Sequence, residues 1–442
     1  MIARTRALAA TLLAFGLIAS ACTGSGSSLF GSRTGAPVPS APETVSPAPT
    51  GPGSAQAALE RLCRRPPSQP AAGGTSEGPT PPAIKQVEGQ VQQLRGLEFT
   101  EPVPVDAVSH DDLVKGFIQS FDSSYPAKFY DRRSQAWQTI GVIPAGTSIR
   151  RSIERFAGSQ VIGYYDPLSG QLVFIGTANP SPVEKVTLAH ELTHALDDQH
   201  FKLDRLNTLE NECADETYQA ALGAVEGDAT YFMILYAQRF LTLDEQLQLG
   251  LEPAPSTEGI PPFIVQLQTW PYTAGLSFIE AMDRRGGTEA IDRAMANFPV
   301  STEQVIHPER YPNDAPTPVN VGDLGPKLGP GWTDLDVMGV GEAFLSIMLG
   351  LRLPQSTSDA AAAGWDGGIY RAWSDGDHVA MVLSTVWDTP RDAAEFASAA
   401  RQWLGSREGR SASILPVEGQ RVRVLFASDP GTLTALETAP AT

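Results

Sequence analysis

The chain has 442 residues, with 50 acidic side chains against 32 basic ones and a formal charge of −18. So acidic a surface excludes the phosphate-neutralising patches on which nucleic-acid binding depends. It is also repelled by an anionic bilayer, so membrane attachment needs a separate device.

The N-terminus supplies a candidate device. Arg4 and Arg6 precede an apolar run, Leu8 to Ala21, that is too short to span a bilayer comfortably. The small residues Ala19, Ser20 and Ala21 then lead into Cys22. This pattern resembles a bacterial lipoprotein signal. The resemblance implies removal of residues 1–21, lipidation of Cys22 and anchoring at the extracytoplasmic face of the cell membrane. An ordinary secretory signal is the alternative, and it exports the chain equally. Residues 22–82 are rich in Pro, Gly and Ser, and the stretch 35–82 has no aromatic side chain. Such a segment buries too little apolar surface to offset its ordering entropy, and it reads as a disordered tether. A short helix is expected within it around Ala57–Cys63. With Cys22 lipidated, Cys63 and Cys213 remain. Outside the cytoplasm they form a possible disulfide or two separate thiols.

Beyond the tether, Ile84, Val87, Val91, Leu94 and Leu97 recur at helical spacing. Ser109 caps a second helix, with Asp111 and Asp112 in its first turn and Leu113, Phe117, Ile118 and Phe121 on its apolar face. Residues 160–176 read as a β-hairpin that turns at Asp166, Pro167, Ser169 and Gly170. Ser181, Pro182 and Glu184 form a strong helix start, predicting a helix over 182–200. Helices are also expected over 212–240, over 263–298 with breaks at Pro271 and Gly286–Gly287, and over 338–351. The last part alternates strand, strand, helix and strand, at Ile369–Trp373, His378–Trp387, up to Leu404 and Arg421–Ala427. The expected class is α+β and mostly helical. A core over 83–350 carries a small α+β portion, 351–442, within one unit.

The chemistry concentrates at His190-Glu191-Leu192-Thr193-His194. Residues four apart share a helix face, so both imidazoles can reach one metal ion, while Glu191 stands beside it as a base for the attacking water. Chance supplies such a pattern about 0.005 times in a chain of this composition. Neutral imidazoles suit one zinc ion, Zn2+, which in catalytic sites takes three protein ligands. His200 faces about 120° away from His194 and fits poorly. Glu226, on the next helix among Ala220, Ala221, Gly223, Ala224 and Gly227, is the preferred third ligand, with Glu212 and Glu216 as competitors.

The run HELTHA resembles the active-site helix of thermolysin-like gluzincins. Over residues 110–405 the chain is similar to a family of bacterial exported zinc metallopeptidases, often lipoproteins. The motifs that carry the likeness are the GYYDP hairpin, HELTHALDDQHF, VEGDA, the PYxxGxxF segment from Pro271, STEQVIHPERY at 301–311, GWDGGIY at 364–370 and WDTPRDAAEF at 387–396. The resemblance implies a gluzincin-like fold, zinc held by His190, His194 and Glu226, and Glu191 as base. It also implies a peptide or protein substrate added to the strand at Gln171, Val173 and Ile175. The chain departs from the pattern at Asp197, where Gln is usual, at Gly368, where an acid is usual, and at Thr230, where thermolysin-like enzymes have a ligand-orienting Asp. A donor for the oxyanion is also required. His307 is the first candidate and Tyr311 the second. The expected activity is peptide hydrolysis. An inactive zinc-bearing scaffold and a zinc amidase acting on cell-wall peptides are the alternatives.

Overall fold

The computed structural model describes residues 51, 53–63, 80–124, 128–253, 255–405 and 411–439, apart from the side chains of 119–124. The expected signal at 1–21, Cys22, most of the tether and the Phe121 side chain lie outside the described residues.

Helix α1 (Ala55–Leu62) and helix α2 (Pro82–Arg95) precede a three-stranded sheet. Its strands are β1 (Val105–Val108), β2 (Gly163–Asp166) and β3 (Gln171–Ile175), and helices α3 (His110–Ser124), α4 (Phe129–Ile140) and α5 (Ile149–Gln160) separate the first two. The order is β1-β3-β2. Strand β3 runs parallel to β1 and antiparallel to β2, so both of its edges are paired. This explains the unbroken apolar run Leu172-Val173-Phe174, which is buried on both faces.

Helix α6 (Pro182–Phe201) begins at Ser181 with a full capping box to Glu184. Its buried positions run around its circumference rather than along one stripe, which makes it the central helix. Helices α7 (Arg205–Asn211), α8 (Asp215–Phe240), α9 (Leu243–Leu249) and α10 (Pro262–Ala296) follow. Helices α8 and α10 meet backbone to backbone. A Cβ at Gly275 would lie 1.9 Å from the Gly223 carbonyl oxygen, and one at Gly227 would lie 2.2 Å from the Gly275 carbonyl carbon. The expected break at Pro271 does not occur, because the helix runs through it. The proline lacks an N–H for the Leu267 carbonyl, and Gln219 Nε2 of α8 donates to that carbonyl instead, at 3.1 Å. At Gly286 and Gly287 the backbone does leave the helical region.

After α11 (Thr302–Ile306) and α12 (Gly325–Leu328) come β4 (Thr333–Gly339), α13 (Glu342–Gly350), α14 (Gln355–Ala362), β5 (Trp365–Ser374) and β6 (Val379–Trp387). Helix α15 (Pro390–Gly405), β7 (Ser411–Ile414), β8 (Arg421–Ala427) and α16 (Pro430–Thr438) complete the chain. The second sheet is antiparallel throughout, in the order β4-β5-β6-β8-β7. Residues 338–339 therefore belong to a strand, not to the helix expected over 338–351, and the sheet begins before the boundary expected at 351. One core cluster joins Trp137 of α4, Phe263 of α10 and Phe344 of α13 to Trp365, Tyr370 and Trp387 of the sheet. The fold is thus α+β and mostly helical, with helices and sheet sharing apolar packing.

Helix α1 lies where a short helix was expected within the tether, over Ala55–Leu62 rather than Ala57–Cys63, and it docks onto the rest of the chain. Ala55, Ala58 and Leu59 make a small buried stripe, Arg61 pairs with Asp334 at 2.7 Å, and a disulfide joins Cys63 to Cys213 across 150 residues.

Candidate metal centre

Helix α6 presents His190 and His194 one turn apart toward α8, where Glu226 faces them. The Nε2 atoms of the two histidines are 3.1 Å apart. Glu226 Oε2 lies 3.2 Å from His190 Nε2 and 3.4 Å from His194 Nε2. Two donors about 2.0–2.1 Å from a tetrahedral zinc stand about 3.4 Å apart, so the three atoms match one face of such a tetrahedron. Both Nδ1 atoms are buried and turned away from the triangle. All three side chains are largely shielded from solvent. Burial alone would raise the Glu226 carboxyl, but the neighbouring imidazoles outweigh it and hold the group well below the usual carboxylate range. The donor set and its spacing therefore fit zinc. Among the described residues this is the one cluster with such spacing. Glu212 is exposed, and His200 Nε2 donates to the Glu98 carbonyl at 2.8 Å, away from the triad.

Glu191 lies against the hairpin. Gly163 approaches so closely that a Cβ there would sit 3.3 Å from Glu191 Cγ and 3.0 Å from Thr187 Cγ2. The Tyr165 backbone N–H donates to the Glu191 carboxylate. Burial, with the Glu226 charge adding to it, pushes the Glu191 carboxyl up to about 7 against the opposing pull of His190. Ladder alternation explains the approach. Ile162 accepts from Ile175 at 2.8 Å and Tyr164 is opposite Val173, so Gly163 and Tyr165 turn their backbone groups away from β3.

That geometry corrects the expected substrate strand. Gln171, Val173 and Ile175 sit on a central strand with both edges taken, and Gln171 Nε2 donates to Asp106 of β1. The edge that borders Glu191 belongs to β2. The oxyanion candidates are also displaced. His307 Nε2 meets Glu342 Oε1 at 3.0 Å, and the Tyr311 hydroxyl donates to the Asn297 carbonyl at 2.6 Å. Neither contacts the triad or lines the cleft beside it. They secure the turn after α11 instead.

The residue that stands in their place is Tyr272, from the PYxxGxxF segment. Its ring stacks on His190 at 6.1 Å between centroids, and its hydroxyl is hydrogen-bonded to Glu226. Burial and the charges of Glu226 and Glu191 keep that hydroxyl protonated. It projects from the turn of α10 that begins at Pro271, next to the Gly227–Gly275 crossing. Only that crossing brings it to Glu226, so sequence spacing carries no sign of it beyond the motif itself.

Behind the triad, Arg95 of α2 ties α6 and α8 together. Its wholly buried guanidinium is 3.1 Å from both Asp197 Oδ1 and Asp228 Oδ2, and it also pairs with Asp292. The rings of Phe201 and Phe232 lie 5.5 and 5.1 Å from it. Asp228 follows Glu226 by two residues and faces away from it, whereas Asp197 lies on the histidines' side of α6, about one turn beyond His194, where Arg95 engages it. Burial and the Asp228 charge raise the Asp197 carboxyl well above its ordinary value despite Arg95. The unusual Asp197 is thus an Arg95 partner. Among the described residues Thr230 Oγ1 is buried without a hydrogen-bond partner, so it orients neither His190 nor His194.

A cleft lined by Glu226 and Tyr272 continues into a cavity of about 360 Å³ between α4, α5, α8, α10 and α13.

Comparison with known proteins adds little to this geometry. Residues 334–437 match a family described as a domain of unknown function (DUF8575). That match spans β4 to α16 and includes none of the triad. No curated protein matches the chain. Among solved structures, the chain is similar to one from Chloroflexus aurantiacus described as "a putative hydrolase with a novel fold". Identity is 16%, coverage is 58% of this chain and 95% of that one, and the TM-score is 0.34. So slight a likeness bears on neither fold nor function.

Proposed function

We propose that this chain is a zinc-dependent peptidase of gluzincin-like design, held outside the cell membrane by lipid on Cys22. The observation that carries the reading is the triangle of His190 Nε2, His194 Nε2 and Glu226 Oε2 with Glu191 beside it. Zinc bound there supplies a Lewis acid that polarises the scissile carbonyl and acidifies the attacking water. Glu191 takes the water's proton and returns it to the leaving amine, a task suited to a buried carboxyl. The Tyr272 hydroxyl, which stays protonated, donates a hydrogen bond to the oxygen on which negative charge develops. The free edge of β2, through Gly163, aligns an extended peptide by backbone hydrogen bonds. Arg95 holds the ligand helices in register from behind.

The test is Glu191→Gln in the full chain, which keeps the shape and removes the base. It should retain about one equivalent of zinc and lose peptide turnover by about 10²–10⁴-fold. Unchanged turnover would overturn the assignment of Glu191.

A further inference from the structure

The cavity beyond the triad is apolar along its length and polar at its far end. Ile149, Ile153, Phe156, Leu222, Ile264 and Phe344 line its walls. Glu226 and Tyr272 stand at one end. Glu216 lines it on the same helix, ten residues earlier, or about 15 Å away along the axis. Glu216 Oε1 accepts both the N–H and the hydroxyl of Thr302, at 2.6 and 2.8 Å. Its Oε2 has no hydrogen-bond partner among the described residues. It stands where a side chain at residue 341 would be, since a Cβ on Gly341 would lie 1.8 Å away. Glycine at 341 therefore gives this oxygen its place in the cavity wall.

The charges around it are unbalanced. Among the described residues Glu210, Asp215 and Glu216 line the cavity, and Arg133 is the sole cation to do so. That guanidinium is already engaged, at 3.0 Å by Asp215 and 2.6 Å by Asp336. A purely apolar occupant would leave Glu216 Oε2 dry and unpaired, which is costly. An anionic occupant would meet three carboxylates.

We propose that this cavity is a specificity pocket for a cation carried on an apolar stem, and that Glu216 is the residue that reads the cation. The proposal rests on the peptidase reading for its substrate, because the metal centre stands at its mouth. The basic side chain of a lysine or arginine and the free amine of a peptide N-terminus offer this same chemistry. Burial pushes the Glu216 carboxyl up to about 7, an expense that an entering cation offsets.

The experiment measures binding of hexylammonium and of 1-hexanol to the full-length, zinc-loaded protein by calorimetry. The two probes share a stem and differ in charge. Wild type should bind hexylammonium at least about tenfold more tightly than hexanol, the scale of a charge-assisted hydrogen bond. In Glu216→Gln, which still accepts from Thr302, that discrimination should vanish. Equal binding of the two probes by wild type, no binding of hexylammonium, or full discrimination in the Gln variant would each overturn the proposal. Should the variant fail to fold, the wild-type comparison decides alone. A peptide arm separates the two sources. Preference for Lys or Arg at a fixed distance from the cleaved bond marks a side chain, and preference for free over acetylated N-termini marks a terminal amine. Binding does not depend on turnover. A chain that discriminates the probes yet cleaves nothing removes the peptidase reading and leaves the cation pocket standing.

Discussion

Tyr272 is the residue that most alters the picture of the site. Its ring lies against His190 and its hydroxyl against Glu226, so it touches two of the three clustered side chains at once. Removing the hydroxyl while keeping the ring should leave zinc in place and cost turnover about 10²–10³-fold, the effect of losing one oxyanion donor. Tyr272→Phe is therefore expected to lower kcat with little change in KM, and a fall in zinc content instead would make Tyr272 a structural residue. The pairing of His190 with His194 was legible in the sequence because i, i+4 spacing on a capped helix brings the two rings together without knowledge of the rest of the fold. That Glu226 lies beside them was legible from the small residues around it, which let the helices approach. His307 and Tyr311 misled because His-Pro-Glu-Arg-Tyr has a reactive composition. Their partners, Glu342 and Asn297, come from elements whose docking no local pattern reveals.

Among elements, the crossing of α8 and α10 carries most of the site, since it sets the distance between Glu226 and Tyr272. Gly275 has no room for a methyl group, and the neighbour that blocks it is backbone that no rotamer change can move. Gly275→Ala should cost about 1–3 kcal/mol or more and weaken zinc binding, as seen by denaturant unfolding and zinc titration. Gly89 in α2 has nothing within 4 Å of its missing Cβ. Gly89→Ala should instead gain about 0.5–1 kcal/mol in the same unfolding measurement. Equal effects at the two positions would contradict the packing argument. Most helices were legible because their periodicity or caps are local. Strand β1 was not, because four residues, Val105–Val108, are too few to show a pattern and their parallel pairing is long-range. The same limit turned β3 into an apparent edge strand. The hairpin is visible in the turn residues, but the third strand that closes its far side is not.

At the scale of the whole molecule, the helices and the five-stranded sheet are joined by polar contacts as well as by core. Arg310 pairs with Glu303 at 3.1 Å, with Asp314 at 2.8 Å and with Asp388, just beyond β6, at 2.6 Å. One cation cannot neutralise three carboxylates, and the most buried of them, Glu303, keeps its proton. Burial pushes its carboxyl from 4.5 up to about 9, against the pull of Arg310. Between those pH values the folded chain holds a proton that the unfolded chain has lost, so this group's contribution to stability falls as pH rises from about 4.5 to about 9. Glu303→Gln should flatten that decline, with the gap in unfolding midpoint shifting in the variant's favour toward pH 9. Parallel profiles would contradict it. The proposed centre has two histidines and one glutamate from adjacent helices binding a single zinc. Zinc K-edge absorption on the full chain tests it most directly. The account predicts one zinc with two imidazole nitrogens and carboxylate or water oxygens at about 2.0–2.2 Å. A zinc shell without those imidazoles, or a protein that binds no zinc, would contradict it.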